Sequence, residues 1–341
     1  MNIICTNSKG AVEVKNFQRR LFHFKEEINM KRRLAMTVLA GMMFASLAGC
    51  GTNTPAASDK KTTTEPAAEK TTEAASEKSS EAASEKAVLR VGMECAYAPF
   101  NWTQDADSTP DGSKAVPIYD SSYYAYGYDV AVAQMLADEL DMDLEIHKVE
   151  WSSIGISMDA GDYDCIIAGM GRTAERQMAY NFTEPYYYRD NCIVVKKDGP
   201  YADVKGLSEL DNTGCVLTTQ LGCGWIPLLD QVKGAVTGTN FETTSECFMA
   251  VSNGVADVFI VDVPTAESAL LTNDDLKMIR FDENDTFSGD EEMVNVCIAT
   301  RKSDTELCEK LQGAMDAIGW GDKAKMDELM EKVLTQQPAA N

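Results

Sequence analysis

The sequence predicts an α/β fold built on a largely parallel sheet. Two observations predict it. From about Ala87 to Gln336, short strand signals alternate with helix signals. In addition, 44% of the 341 residues are apolar, enough to bury a substantial core. At roughly 150 residues per domain, this length suggests one large or two medium globular domains.

The elements read in order as follows. Val88-Leu89-Arg90-Val91-Gly92 is a strand ending in a turn. The stretch 129–140 is an amphipathic helix, because Val130, Ala133, Leu136, Ala137 and Leu140 recur on one face. Residues 144–149 alternate like a strand, 153–160 form a short helix stopped by Gly161, and 163–168 form a buried strand. Ligands of such sheets gather at the carboxyl ends of the strands. The loops 92–102, 168–176, 218–225 and 261–265 are therefore the ones expected to carry function.

The N-terminal region is expected to lie outside this fold. Met30 is followed by Lys31, Arg32 and Arg33, then by an apolar run from Leu34 to Phe44, then by Leu47-Ala48-Gly49-Cys50. A basic segment, a short apolar segment and a small-residue cleavage site have the layout of a secretory signal. The apolar run is too short to span a bilayer, which takes about 20 residues. Leu-Ala-Gly-Cys resembles the bacterial lipobox, which implies a lipid on Cys50; an ordinary cleaved signal is the other reading. Residues 1–29 lack these features, so either translation starts at Met30 or the basic segment is unusually long. Residues 50–86 hold Thr, Ala, Ser, Glu and Lys, with Glu-Ala-Ala-Ser-Glu-Lys at 73–78 and again at 81–86. Without aromatic or large aliphatic residues they have nothing to bury, and read as a disordered tether to the membrane.

Composition excludes some functions. There are 31 basic and 54 acidic side chains, a net charge of −23. Residues 1–50 contribute eight basic and three acidic residues, so a processed chain is more acidic by five charges. That balance argues against nucleic acid as a partner. Only His23 and His147 occur, leaving little room for a histidine triad or a zinc site, and no cofactor, metal or catalytic residue is expected. Cysteines 95, 165, 192, 215, 223, 247, 297 and 308 show no Cys-x-x-Cys spacing and sit mostly in apolar runs. They read as buried free thiols, although an exported protein can form disulfides and no pairing follows from sequence.

An ordered set of motifs narrows the reading. These are Leu89-Arg-Val-Gly-Met-Glu94-Cys-Ala-Tyr97-Ala-Pro-Phe100, Gly127-Tyr-Asp129-Val, Asp164-Cys-Ile-Ile-Ala-Gly169-Met, Thr173-Ala-Glu-Arg176, Phe182-Thr-Glu-Pro-Tyr186-Tyr and Ala256-Asp257-Val-Phe-Ile-Val-Asp262. Together they resemble the family 3 extracellular solute-binding proteins of ABC transporters, over nearly all of 87–336. The resemblance implies the two-lobed periplasmic-binding-protein-like (type II) fold, with two hinge strands and a ligand cleft between the lobes. It divides the chain into 87–193 plus 297–336 as lobe 1 and 194–296 as lobe 2, with hinges near 191–195 and 295–300. It also implies capture of an amino acid or similar small zwitterion by lobe closure. Delivery is to an ABC permease and its ATPase, from a monomer lipid-anchored on the extracytoplasmic face of the cell membrane.

The residues carried over suit that chemistry. A carboxylate calls for a bidentate guanidinium, and Arg176 holds the family's anchoring position, at the start of a helix. An ammonium calls for a carboxylate, and Asp262 matches the acidic partner. Tyr97 and Trp151 match the aromatics that sandwich the ligand side chain, with core packing the rival role for Trp151. Gly169, Gly171 and Thr173 match pocket-lining positions. Many relatives have Ser or Thr where Gly171 stands, and in the second-lobe loop Cys223 and Gly224 stand where a Ser or Thr pair usually follows the glycine, here Gly222, so this chain offers fewer hydroxyl donors. Glu94 matches a position that often faces the ligand side chain; it could favour a basic ligand, but relatives that bind neutral amides share it. The aromatic stretch 101–126, with Trp102, Tyr119, Tyr123, Tyr124 and Tyr126, either contacts the ligand or packs on the first lobe. Two other functions stay open: a secreted dehydratase-like enzyme on the same fold, and a sensor or adhesin without transport.

Overall fold

The computed structural model describes residues 86–289 and 294–337. The upstream extension, the signal segment, Cys50 and the tether up to residue 85 lie outside the described residues.

Two five-stranded sheets form the centres of two lobes. The first runs in the order Asp143–Lys148, Val88–Met93, Cys165–Ile166, Ala299–Arg301, Tyr180–Phe182. The second runs Val236–Thr237, Val216–Thr218, Val258–Asp262, Asn191–Lys196, Leu276–Ile279. Both sheets are mixed rather than largely parallel. In the first, Val88–Met93 pairs in parallel with both neighbours, whereas Ala299–Arg301 is antiparallel to both of its own. In the second, Asn191–Lys196 is antiparallel to both neighbours. The reversed strands are those next to the crossings between lobes, where the chain enters a sheet from the opposite end.

The expected strands and helices form where local periodicity is strong. Val88–Met93 buries Leu89, Val91 and Met93. Tyr128–Glu139 is helical and buries Val130, Ala133, Leu136 and Ala137. Ile154–Ala160 ends at Gly161, which takes a left-handed conformation (φ 89°) that a side chain disfavours. The stretch 163–168 is buried at almost every position, but only Cys165–Ile166 pairs as a strand.

Two apolar faces make Asn191–Lys196 a central strand. Ile193 and Val195 pack in one core with Leu217 and Ile260, while Cys192 and Val194 pack in another with Phe259 and Val261. Such a strand needs a continuous apolar run, and Cys192-Ile-Val-Val supplies one. This strand spans the lobe boundary expected at 193/194 and pairs with the second sheet from Asn191 onward. The link between sheets is instead a two-stranded ribbon in which Tyr187–Tyr188 lies antiparallel to Asn295–Val296. The first strand of this ribbon precedes 191–195 and the second lies within 295–300.

The aromatic stretch 101–126 joins a four-stranded sheet ordered Ala96–Tyr97, Asn101–Gln104, Tyr124–Tyr126, Val116–Pro117. Trp102 and Tyr126 are buried edge to face at 5.4 Å. Tyr119 stacks on His147 at 4.6 Å. These aromatics pack on the first lobe. The eight described cysteines are free, and all but Cys223 are buried. Among the described residues no helix is long and apolar enough to cross a membrane, and no cluster of metal-ligating side chains occurs.

Candidate functional site

Carboxyl ends of parallel strands from both sheets converge on one interlobe region. Glu94 and Tyr97 follow Val88–Met93, Gly169 and Gly171 follow Cys165–Ile166, Gln220 follows Val216–Thr218, and Asp262 ends Val258–Asp262. The expected site residues fall into two neighbouring clusters.

The outer cluster centres on Arg176. It lies in the short helix Ala174–Ala179, which Thr173 caps by accepting the Arg176 backbone N–H through Oγ1. The guanidinium donates to the Gly171 carbonyl at 2.9 Å and, across the lobes, to the Gly222 carbonyl at 3.1 Å. It also lies over the Trp151 ring, 5.2 Å from its centroid. The Trp151 face is thereby covered by an arginine of its own lobe. Burial lowers the Arg176 pKa to about 10, so the group is still charged at neutral pH. Among the described residues no carboxylate forms an ion pair with it. Arg176, Thr173, Gly222 and Cys223 line a cavity of about 760 Å³ that opens between the lobes. The Cys223 thiol lies 3.3 Å from the Thr219 hydroxyl.

The inner cluster centres on Asp262, which is fully buried. One carboxylate oxygen caps the helix Val263–Leu270 by accepting the Thr265 N–H at 2.9 Å. The other accepts the Tyr97 hydroxyl, a contact between lobes. Burial holds the Tyr97 phenol well above its usual pKa, so it stays a donor. The same Asp262 oxygen lies 3.6 Å from the guanidinium of Arg189, which in turn donates to the Tyr97 hydroxyl at 2.8 Å. Asp262 therefore already has an internal cation.

Strand register explains how Arg189 comes to be there. Asn191 pairs with Asp262, and the Val263 N–H donates to the Asp190 carbonyl at 3.0 Å, so the hinge ribbon delivers residue 189 beside the aspartate. The guanidinium is sandwiched by Phe100 at 5.6 Å and by Trp225 of the second lobe at 4.9 Å. Burial opposes its charge, but the Tyr97 oxygen and Asp262 outweigh it and raise the pKa.

Glu94 is also buried, and burial pushes its carboxyl up to about 8, so it is mostly protonated at neutral pH. Gln220 of the second lobe donates to it at 2.8 Å. Gly169 is held at φ +62°, and a Cβ there would stand 2.5 Å from the Tyr97 ring. Its N–H donates to the Tyr186 hydroxyl at 3.1 Å. Tyr186 in turn donates to buried Asp129 at 2.7 Å. Burial raises Asp129 to about 6.

The structure thus brings together Arg176, Trp151, Gly171, Thr173, Gly222 and Cys223 in one cluster and Glu94, Tyr97, Gly169 and Asp262 in the other. Sequence reasoning missed Arg189, Gln220 and Trp225. Arg189 stands two residues past the Phe182-Thr-Glu-Pro-Tyr186-Tyr motif, and only the pairing of distant strands gives it meaning.

Comparison with known proteins bears on this arrangement. The family model of the bacterial extracellular solute-binding proteins, family 3, matches residues 89–336. An L-arginine-binding protein of Pseudomonas aeruginosa is 26% identical over 241 residues, 70% of this chain and 85% of that protein. ABC transporter arginine-binding protein 1 of Escherichia coli is 25% identical over 213 residues, 62% of this chain and 80% of that protein. Among solved structures, an ancestral arginine-binding protein bound to glutamine aligns with a TM-score of 0.57 at 27% identity, covering 72% of this chain and 97% of its own.

Proposed function

The chain belongs to the bacterial extracellular solute-binding proteins, family 3, and from that membership we propose that it is the capture component of an amino-acid ABC importer. The ligand is a small amino acid or related zwitterion held between the lobes and handed to a permease driven by an ATPase. The three relatives are all named as arginine-binding proteins, which supports binding rather than turnover. The observation that carries the reading is that Arg176 reaches the Gly222 carbonyl while Tyr97 reaches Asp262, so a cationic and an anionic group both lie where the lobes meet.

In this reading Arg176 leaves its two carbonyls for the ligand carboxylate, a stronger charge-assisted partner. Gly222 and Cys223 approach from the second lobe, with Thr173, Gly171 and Gly169 lining the first. Tyr97 and Trp151 supply aromatic surface, and Glu94 contributes a protonated carboxyl. A ligand that touches both lobes stabilises their closed arrangement selectively, which is the requirement for shifting a two-state equilibrium. Arg301, Tyr163 and the rest of the first-lobe core stay fixed while the ribbon at Tyr187–Tyr188 and Asn295–Val296 bends.

Export through the signal at 30–49 and a lipid on Cys50 place this binding protein, a monomer on its tether, on the extracytoplasmic face of the membrane. Intact mass tests that part: a mature protein that retains residues before Cys50 refutes it. The ligand reading is tested by thermal melting against the twenty amino acids, cystine and related small acids. A true ligand at a hundred times its Kd adds about 2.7 kcal/mol, which raises the midpoint by roughly 5–10 °C. No shift with any of them rejects it.

A further inference from the structure

The ionisable groups between the lobes do not balance. Away from the outer carboxylates Glu175, which is exposed, and Glu242, which accepts the Ser152 N–H across the lobes, two guanidiniums, Arg176 and Arg189, face one buried carboxylate, Asp262, and that carboxylate is shared by Arg189, Tyr97 and the Thr265 N–H. Glu94 adds no charge to offset them, because burial keeps it mostly protonated. Asp129, which burial raises to about 6, lies behind Tyr186 and Asn101, which take both of its oxygens. In the buried part of the region, guanidiniums thus outnumber the carboxylates within reach of them, and Arg189 shares its one carboxylate with two other donors.

Arg189 also has an unfilled valence. Its side chain is only 6% exposed, yet its Nε–H has no hydrogen-bond partner. An unmade hydrogen bond on a buried charged group is a cost that a fold keeps only where something offsets it. The guanidinium is enclosed by Phe100 from one lobe and Trp225 from the other, so separating the lobes uncovers it and closing them seals it against whatever has entered.

We propose that Arg189 is a specificity-determining residue, whose guanidinium receives the side-chain carboxylate of an acidic amino acid and excludes a basic one. The inference rests on the amino-acid reading above. An acidic amino acid carries two carboxylates and one ammonium. The α-carboxylate pairs with Arg176, the side-chain carboxylate pairs with Arg189, and the ammonium shares Asp262, which gives each guanidinium a carboxylate of the ligand. A basic amino acid instead brings its side-chain cation up against the Arg189 guanidinium in a dry cleft, where like charges are poorly screened. The names of the arginine-binding relatives thus do not carry over to this chain.

The test is calorimetric titration at pH 7 with L-glutamate, L-aspartate, L-glutamine, L-arginine and L-lysine. Wild type is expected to bind glutamate or aspartate at least about tenfold more tightly than glutamine, and arginine and lysine most weakly. Arg189→Gln should narrow the ratio of acidic-ligand to glutamine affinity by at least about tenfold, and Arg189→Lys, which keeps the charge, should retain the acidic preference. Wild type that binds arginine or lysine as tightly as glutamate overturns the inference and leaves the amino-acid reading intact. So does a folded Arg189→Gln protein with an unchanged ranking. If Arg189→Gln does not fold, the wild-type ranking and Arg189→Lys still decide the matter. Wild type that binds none of these five overturns the inference, and one whose melting midpoint is also unshifted by all twenty amino acids overturns the amino-acid reading itself.

Discussion

Replacing Glu94 by glutamine should stabilise the protein, and increasingly so as pH rises. Burial moves this carboxyl from an ordinary value of 4.5 up to about 8. Between those values the folded protein holds a proton that the unfolded chain releases. Stability attributable to this group is thus greatest in acid and is lost as pH rises, levelling off above about 8. Each pH unit inside the window is worth about 1.4 kcal/mol. From pH 5 to pH 8 the loss comes to about 3.5 kcal/mol. The amide of Glu94→Gln cannot ionise and can still accept the Gln220 amide N–H across the lobes, so the variant escapes the loss. At about 2–4 °C per kcal/mol for a protein of this size, the midpoint difference between variant and wild type should grow by roughly 7–14 °C over that range. Asp129, raised to about 6, is present in both proteins, so only its coupling to the Glu94 charge enters the comparison. The assay is thermal or urea denaturation of the two proteins at pH 5, 6.5 and 8. Parallel pH profiles would show that Glu94 is ionised in the folded state and would refute the account of the inner cluster as a site with a neutral acid.

Three further outcomes follow from the same contacts. Asp262→Ala should destabilise the fold by about 3–5 kcal/mol, because it leaves the buried Arg189 unpaired and removes the cap of Val263–Leu270; denaturant titration reads this directly. Alkylation of Cys223, followed by peptide mass spectrometry, should slow when ligand is bound, because its thiol lines the same interlobe cavity as Arg176; an unchanged rate would place the ligand elsewhere. Gly92→Ala should cost about 1–3 kcal/mol, since the added methyl group would run into the Tyr163 ring; a midpoint equal to that of wild type contradicts this packing.

How much of this was legible beforehand depended on the range of the interactions. The strand at Val88–Met93 and the helix at Tyr128–Glu139 follow from period-2 and period-3.6 patterning within a dozen residues, and both were readable. The stretch 163–168 is apolar throughout most of its length, which reports burial but not pairing, and only two of its residues pair as a strand. The direction of Ala299–Arg301 and Asn191–Lys196 depends on where the chain crosses between lobes, information that no local window contains. The site shows the same division. Arg176, Asp262 and Tyr97 were readable because each belongs to a recognisable motif. Arg189 was not, because its partner Asp262 is 73 residues away in sequence and the two meet only through antiparallel register. For Trp151 the sequence leaves a ligand surface and core packing both open; the residue is buried and one face carries Arg176.

The most direct test of ligand capture between the lobes is a calorimetric titration of Arg176→Ala with whichever amino acid most raises the wild-type melting midpoint. Loss of two charge-assisted hydrogen bonds predicts at least about a hundredfold weaker binding by a protein that still melts cooperatively. Wild-type affinity in that folded variant would contradict the assignment of Arg176 to the ligand carboxylate.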